Sequence, residues 1–254
     1  MKPITLSATH FGKIIVFGDW HGSLKWAKRA ITEAMRDHPN IDYFFHIGDF
    51  GYFEENEHYI KELSKLLQNI EKTLIFIDGN HENHHILDSA QNRTGLDPIS
   101  PRIFYARRGT LFSWNDLLIL TFGGAYSIDR KWRTLNETYW EEEEITSEQI
   151  EQFKANPARP QIMLTHDAPS RPPNINPLNP QYFSPATQEK ADLHMEKIKT
   201  IMGIAKPDTL IHGHFHHKYH NKYFNTDIYG LDCDGSSWRK NRLVINPTGL
   251  ITPY

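Results

Sequence analysis

Residues 13–22 read KIIVFGDWHG: a short apolar run, a glycine, then an acid and a histidine two positions apart. The run has the pattern of a buried strand, and it stops at Gly18 before LKWAKRAITEAMRD. There Leu24, Ala27, Ile31, Ala34 and Met35 recur at helical spacing, so the unit is strand, polar loop, helix. The unit repeats. DYFFHI (residues 42–47) runs into Gly48-Asp49 ahead of EHYIKELSKLLQNI (57–70), and TLIFI (73–77) runs into another polar loop. Strands alternating with helices predict an α/β sheet with parallel neighbours. From Ile103 the texture changes to IFYARRGTLFSW and LLILTFGGA, separated by the turn-like Asn115-Asp116, which predicts a second, more antiparallel half. QIMLT (161–165) and DTLIH (208–212) resume the buried-strand pattern with a helix, residues 186–205, between them, and residues 218–244 read as further short strands.

A chain of 254 residues suits one domain, residues 1–254. A net charge of −3 gives no electrostatic footprint for long nucleic acid, although a local basic patch is compatible with it. The single cysteine, Cys233, excludes an internal disulfide, and the N-terminus shows no signal-peptide pattern. IIVF is far too short to cross a bilayer, so the expectation is a soluble cytoplasmic protein with no membrane partner. EEEE, Glu141 to Glu144, reads as a solvated acidic face. The proline-rich stretch from Ala168 to Pro185 is a long loop, either a functional cover or a mobile surface excursion.

Each buried-strand run of the α/β pattern delivers groups that bind metals or phosphate. Asp19 and His21 follow the first; Asp49 follows the next, then Asn80 and His81, then His166, and last His214 and His216 within LIHGHFHHKYH (210–220). Ligands gather outside the carboxyl ends of strands in α/β sheets, so these residues converge although they span most of the chain. A mixed oxygen and nitrogen set without thiolate suits Mn²⁺, Fe²⁺ or Zn²⁺. Asp19, His21, Asp49, Asn80, His166, His214 and His216 are more than one ion needs, and a shared carboxylate would let them hold two. Any one of these motifs alone would read as turn chemistry, because Asp, Asn and Gly dominate turns.

Taken together, Gly18-Asp19-Trp20-His21, Gly48-Asp49-Phe50-Gly51, Gly79-Asn80-His81-Glu82, His166 and Gly213-His214-Phe215-His216 resemble the ordered blocks of the calcineurin-like metallophosphoesterases, small bacterial or phage members in particular. The resemblance implies an α/β fold, a four-layer α-β-β-α sandwich of two mixed sheets flanked by helices. It also implies two divalent metal ions, Mn²⁺ ahead of Fe²⁺ or Zn²⁺. One would be held by Asp19, His21, Asp49 and His216, the other by Asp49, Asn80, His166 and His214, with Asp49 bridging. His81 would be catalytic, hydrogen-bonding the phosphate or protonating the leaving oxygen. The implied activity is phosphoester hydrolysis by a metal-bridging hydroxide.

Other residues carry weaker signals. TFGGAYSIDRKWR (121–133) resembles a segment of some bacterial and phage members, and its Arg130 and Arg133 are either substrate-binding or surface charges. Arg107 and Arg108 flank a strand. Trp132, Tyr139 and Trp140 offer either a stacking face for a base or packing. His212 is placed to orient a neighbouring ligand. His46 is either half-buried filler or an orienting group, His217 and His220 read as exposed or locally bonded rings, His84 and His85 read either so or, from their place near the mouth, as substrate contacts, and His10, His38, His58 and His194 have no assigned role. Phe50-Gly51-Tyr52-Phe53 stands where the protein Ser/Thr phosphatase branch carries Asp-Arg-Gly, and the nearest histidine after the second block, His58, lies in a predicted helix, unlike the DNA repair nucleases. What remains is a compact enzyme acting on a phosphomonoester or phosphodiester of a small molecule, nucleotide or nucleic-acid end. Its specificity would reside in loops 52–56, 127–144 and 168–185. A scaffold that keeps the fold without catalysis, or a metal-binding regulatory protein, is the alternative.

Overall fold

The period of two in KIIVF decides the layering. In the computed structural model, which describes residues 1–53, 56–89 and 95–252, strand β2 (Lys13–Phe17) sends Ile14 and Val16 to one face and Ile15 and Phe17 to the other. The first pair joins a core made with a second sheet. The other pair packs under helices α1 (Leu24–Asp37) and α2 (Glu57–Asn69), in a cluster that also takes in Leu87 of the short α3 (His84–Ser89).

One seven-stranded sheet runs β14 (Ile251–Thr252), β13 (Arg242–Ile245), β2, β3 (Ile41–Ile47), β4 (Thr73–Ile77), β6 (Ile103–Ala106) and β5 (Leu96–Ser100). The other, also of seven strands, runs β1 (Ile4–Thr5), β7 (Thr110–Trp114), β8 (Leu117–Phe122), β9 (Ile162–Thr165), β10 (Thr209–His212), β12 (Thr226–Gly230) and β11 (Tyr219–Tyr223). Ile47, Ile77 and Leu243 of the first sheet meet Ile119, Leu164 and Ile211 of the second between the layers. On the far side of the second sheet, Leu120, Met163 and Leu210 are covered by Phe153 of α4 (Ser147–Ala155) and Ile198 and Ile201 of α5 (Pro185–Ala205). This is the expected α-β-β-α sandwich of two mixed sheets.

The expectation of a more antiparallel second half does not hold. β8, β9, β10 and β12 run parallel to one another, and only β7–β8 and β11–β12 are antiparallel in that sheet. α4 and α5 supply the long crossovers from β8 to β9 and from β9 to β10 that parallel neighbours need, and β12 comes to lie parallel to β10 because the chain first runs out through the edge strand β11. α4 starts in a capping box of Thr146 and Gln149, and α5 starts with Ser184 as its cap and Pro185 in its first turn. β6, read as part of the second half, instead pairs with β4 in the first sheet. Among the described residues no helix is long and apolar enough to cross a membrane.

β2, β3 and β4 are parallel, as are β9 and β10, so the carboxyl ends of each set lie together. Phe45 of β3 meets Phe112 of β7 edge to face across the layers, with centroids 5.4 Å apart. Phe45→Ala is expected to lower stability by about 3–5 kcal/mol, the cost of a large-to-small change at a closed core position, measured by urea denaturation.

Candidate metal centre

The turns at these strand ends are too tight for ordinary backbone. His21, Asp49, His214 and His216 all take positive φ, at 46°, 53°, 64° and 48°, a region costly for residues with a Cβ. Glu82 offsets part of that cost at Asp49. Its buried carboxylate accepts the backbone N–H groups of Asp49 (3.2 Å), Gly51 (2.9 Å) and Gly79, tying the turn after β3 to the turn after β4. Gly79 is there for space: a Cβ would lie 2.2 Å from Asp49 Oδ1.

The expected ligands converge. One donor atom each from Asp19, His21, Asp49 and His216 lie within 4.8 Å of one another. His216 Nε2 is 3.0 Å from Asp19 Oδ2, and His21 Nε2 is 3.5 Å from Asp49 Oδ2. On the other side of Asp49, His166 Nε2 stands 3.4 Å from Oδ1 and 3.0 Å from Asn80 Oδ1. The His214 ring lies beside that of His166, centroids 5.1 Å apart, and the His214 N–H donates to Asp19. His166 Nδ1 donates to the Ile47 carbonyl at 2.9 Å, which joins the two sheets and turns Nε2 inward. Asp234 does the same for His21, holding Nδ1 at 2.7 Å.

Charge follows from this crowding. Burial opposes charge on these rings, yet the acids overcome it: Asp49, with Asp234, raises His21 to about 9, Asp49 raises His166 to about 10, and Asp19 raises His216 to about 11. Burial works against ionised Asp49 as well, but His166 and His81 hold it well below the ordinary carboxylate range. His214 is different, lowered by burial to about 4. The buried acids therefore demand positive charge, which protonated imidazoles supply here. A divalent cation would answer the same demand with donors that suit it, so the donor set fits the metal ions implied by the sequence.

His81 and Arg133 stand at the edge. His81 Nε2 is 4.0 Å from Asp49 Oδ2, and Arg133 Nη2 lies 2.9 Å from both His81 ring nitrogens. Burial lowers the His81 pKa, and Arg133 adds to this against the pull of Asp49. Arg130 points elsewhere, into Glu143 (2.6 Å) and Glu144 (2.8 Å). The reading of Glu141 to Glu144 as a solvated face holds for Glu141 and Glu142, which are exposed, and is corrected at Glu143, which is fully buried because Arg130 neutralises it and Ser127 bonds it. Arg107 and Arg108 do flank strands, and Arg108 also binds Asp78 and the carbonyls of Glu142, Glu143 and Glu144. Trp140 is buried, Tyr139 faces Arg130, and Trp132 is exposed with its edge toward Phe183.

The remaining histidines sort by partner. His46 is fully buried rather than half-buried, between Trp20 and Phe50, and neither ring nitrogen has a hydrogen-bond partner among the described residues. His84 is buried with Nε2 3.0 Å from the Gly79 carbonyl. His194, given no role from sequence, is buried against Asp167 at 2.6 Å and accepts the Ile145 N–H. His212 bonds the Gly213 carbonyl and Tyr219, while His220 is exposed and bonds Asp227. The sequence assigns no role to Glu82, Asp234, Ser127 or Glu143. Glu82 and Ser127 do sit in segments that carry a signal, Gly79-Asn80-His81-Glu82 and TFGGAYSIDRKWR, whereas nothing local marks Asp234 or singles Glu143 out of its acidic run.

Of the loops expected to set specificity, 52–56 includes Glu54 and Glu55, which lie outside the described residues. The 168–185 loop packs on α5 through Arg171–Asp192 (2.7 Å) and Leu178–Gln188 (2.7 Å). Between them is a cavity of about 240 Å³ whose lining includes Tyr126, Ile128, Ile175, Met195, His214 and Phe215.

A sequence model described as calcineurin-like phosphoesterase matches residues 12–218. No curated protein matches the chain. In structure it is similar to TT1561 of Thermus thermophilus, with TM-score 0.59, 12% identity, and 94% of this chain and 96% of that one covered. It is also similar to a putative 5'-nucleotidase from Staphylococcus aureus, with TM-score 0.49, 13% identity, 92% of this chain and 50% of that one covered. At 12% identity the likeness to TT1561 is one of fold. With the family model spanning most of its length and the donor cluster at its strand ends, the chain belongs to the calcineurin-like phosphoesterases and is a phosphoester hydrolase.

Proposed function

We propose that the chain hydrolyses a phosphomonoester or phosphodiester of a small molecule or nucleotide at a two-metal centre that shares Asp49. The observation that carries this reading is the position of Asp49, with one carboxylate oxygen toward His21 and the other toward His166 and Asn80. Asp19, His21, Asp49 and His216 would form one ligand set and Asp49, Asn80, His166 and His214 the other. When bound, two divalent cations, Mn²⁺ ahead of Fe²⁺ or Zn²⁺, supply charge to a phosphoryl group and acidity to a coordinated water.

The chain's own residues do the rest. Asp234 and the Ile47 carbonyl hold His21 and His166 by Nδ1, so each presents Nε2 without rotational search. Both candidate arginines are ion-paired, Arg133 with Asp129 (2.8 Å) and Arg130 with Glu143 and Glu144, and Arg133 is the one we assign to the phosphate because its Nη2 also lies at His81 whereas Arg130 is turned away from the centre. An Arg133 N–H donated into one nitrogen of a neutral His81 leaves that ring's proton on the other, where it serves the leaving oxygen. The cavity beside His214 would take the organic group. At about 240 Å³ it suits a small group rather than a polymer.

Metal-stripped protein is expected to hydrolyse chromogenic mono- or diesters only after Mn²⁺ is added, and Asp49→Asn to abolish turnover with its circular dichroism unchanged. Turnover that ignores Mn²⁺ would remove the metal centre from the reaction; bound Mn²⁺ with no turnover of any ester would favour a scaffold. Arg133→Ala should lower kcat/KM by about 10²–10³, the usual cost of losing one transition-state charge contact. His81→Ala should keep its metals and lose about 10²–10⁴ in turnover of alkyl esters, with less effect on esters of good leaving groups.

Metal binding is also expected to depend on pH. His21, His166 and His216, raised to about 9, 10 and 11, hold protons at neutral pH that a cation must displace. Mn²⁺ affinity should therefore rise as pH rises from 7 toward 9, with protons released on binding. Calorimetry in buffers of different ionisation enthalpy measures this, and binding without proton release would contradict it.

A further inference from the structure

We propose that Ser127 and Glu143 form a relay that dictates which end of the Asn80 amide faces the metal centre; this rests on the reading of Asn80 as a ligand. A side-chain amide has two ends of nearly equal size, and only its oxygen can bind a cation. Something must therefore distinguish Oδ1 from Nδ2 at this position.

The hydrogen bonds supply that distinction in sequence. Glu143 lies in the turn of residues 141–143, fully buried, and Arg130 donates to its Oε1 from Nε (2.9 Å) and Nη2 (2.6 Å). Burial pushes the Glu143 carboxyl up and Arg130 opposes that, but three N–H donors converge on Oε1, two from Arg130 and one from the Ser127 backbone, so the group stands as an acceptor. It takes the Ser127 backbone N–H on Oε1 (2.9 Å) and the Ser127 hydroxyl proton on Oε2 (2.9 Å). Ser127 has one hydroxyl proton, now committed, so toward Asn80 its Oγ can only accept. It accepts from Asn80 Nδ2 at 3.0 Å, and Oδ1 is left facing His166 Nε2 at 3.0 Å, on the side of Asp49. The acceptor-only carboxylate thus sets the polarity of the hydroxyl, and the hydroxyl sets the polarity of the amide.

The relay is held rigidly. Asn80 and Ser127 are buried alongside Glu143. Arg108 ties the carbonyls of Glu142, Glu143 and Glu144 to Asp78, the residue at the end of β4 from which Gly79 and Asn80 follow. The donor and the acceptor of the relay are therefore referenced to the same strand end. Ser127 and Glu143 act through Asn80 and are positioning residues.

The test is Mn²⁺ titration of the metal-stripped full chain, followed by the electron paramagnetic resonance of free Mn²⁺, in Ser127→Ala, Glu143→Gln, Glu144→Gln and Asn80→Ala. Ser127→Ala is expected to weaken one of two classes of site by about 10- to 100-fold and leave the other class at parental affinity. Glu143→Gln is nearly isosteric, but its amide donates to Ser127, which then donates to Asn80 and reverses the relay. It is expected to weaken the same class at least as much, a loss that mere space-filling would not produce. Glu144→Gln, which removes the charge of an Arg130 partner without touching Ser127, should bind as the parent does. Parental affinity in both Ser127→Ala and a folded Glu143→Gln, or an equal loss in Glu144→Gln, would overturn the relay. Parental affinity in Asn80→Ala would overturn the ligand reading itself and the relay with it, and turnover of an ester by the same protein would show that the hydrolase reading stands apart from both.

Discussion

The structure depends on Asp49 leaving β3 in a left-handed turn with its carboxylate buried against two histidines. Such a backbone costs about 1–3 kcal/mol, and a buried ionised acid costs more unless paired. Both costs are met locally. Glu82 accepts three neighbouring N–H groups, the His81 N–H donates to Asp49 Oδ1 at 2.9 Å, and His21 and His166 face its two oxygens. Moving Asp49 would disturb the ends of β3, β4 and β9 at once.

The two-sheet architecture makes that convergence possible. One sheet brings Asp19, His21, Asp49, Asn80 and His81 from the ends of β2, β3 and β4; the other brings His166, His214 and His216 from β9 and β10. The sheets are joined at the site by the bond from the His166 ring to the Ile47 carbonyl. The core thus sets where the strand ends point, the ends of the 127–144 stretch, Ser127 and Glu143, are tied to Asn80, and the loop from 168 to 185 is left to vary the surroundings. On this account Arg133, Tyr126 and Ile175 belong to recognition of the ester, and Ser127, Glu143 and Asp234 to the aim of the ligands.

Much of the fold and the donor set was legible in the sequence because each signal is local. An apolar run followed by Gly-Asp or Gly-Asn-His states both a strand and its functional end, and LKWAKRAITEAMRD and TLIFI match α1 and β4 residue for residue. What was not legible depends on pairings across the chain. Asp234 meets His21 from 213 positions away, and no spacing announces it. Glu143 looks like any member of an acidic run until Arg130 and Ser127 fold onto it. Arg130 and Arg133 were equivalent in sequence, and the short turn at residues 130–132 points one toward Glu143 and the other toward His81. The second sheet reads as more antiparallel in sequence because its early strands form a hairpin, while the crossovers that make β8, β9 and β10 parallel come later.

The most direct measurement is anomalous diffraction from crystals grown with Mn²⁺. Two Mn²⁺ peaks that share the Asp49 carboxylate are expected, one also bound by Asp19, His21 and His216 and the other by Asn80 through Oδ1, His166 and His214. A single ion, or two ions of which neither is held by Asp49, would contradict a shared centre.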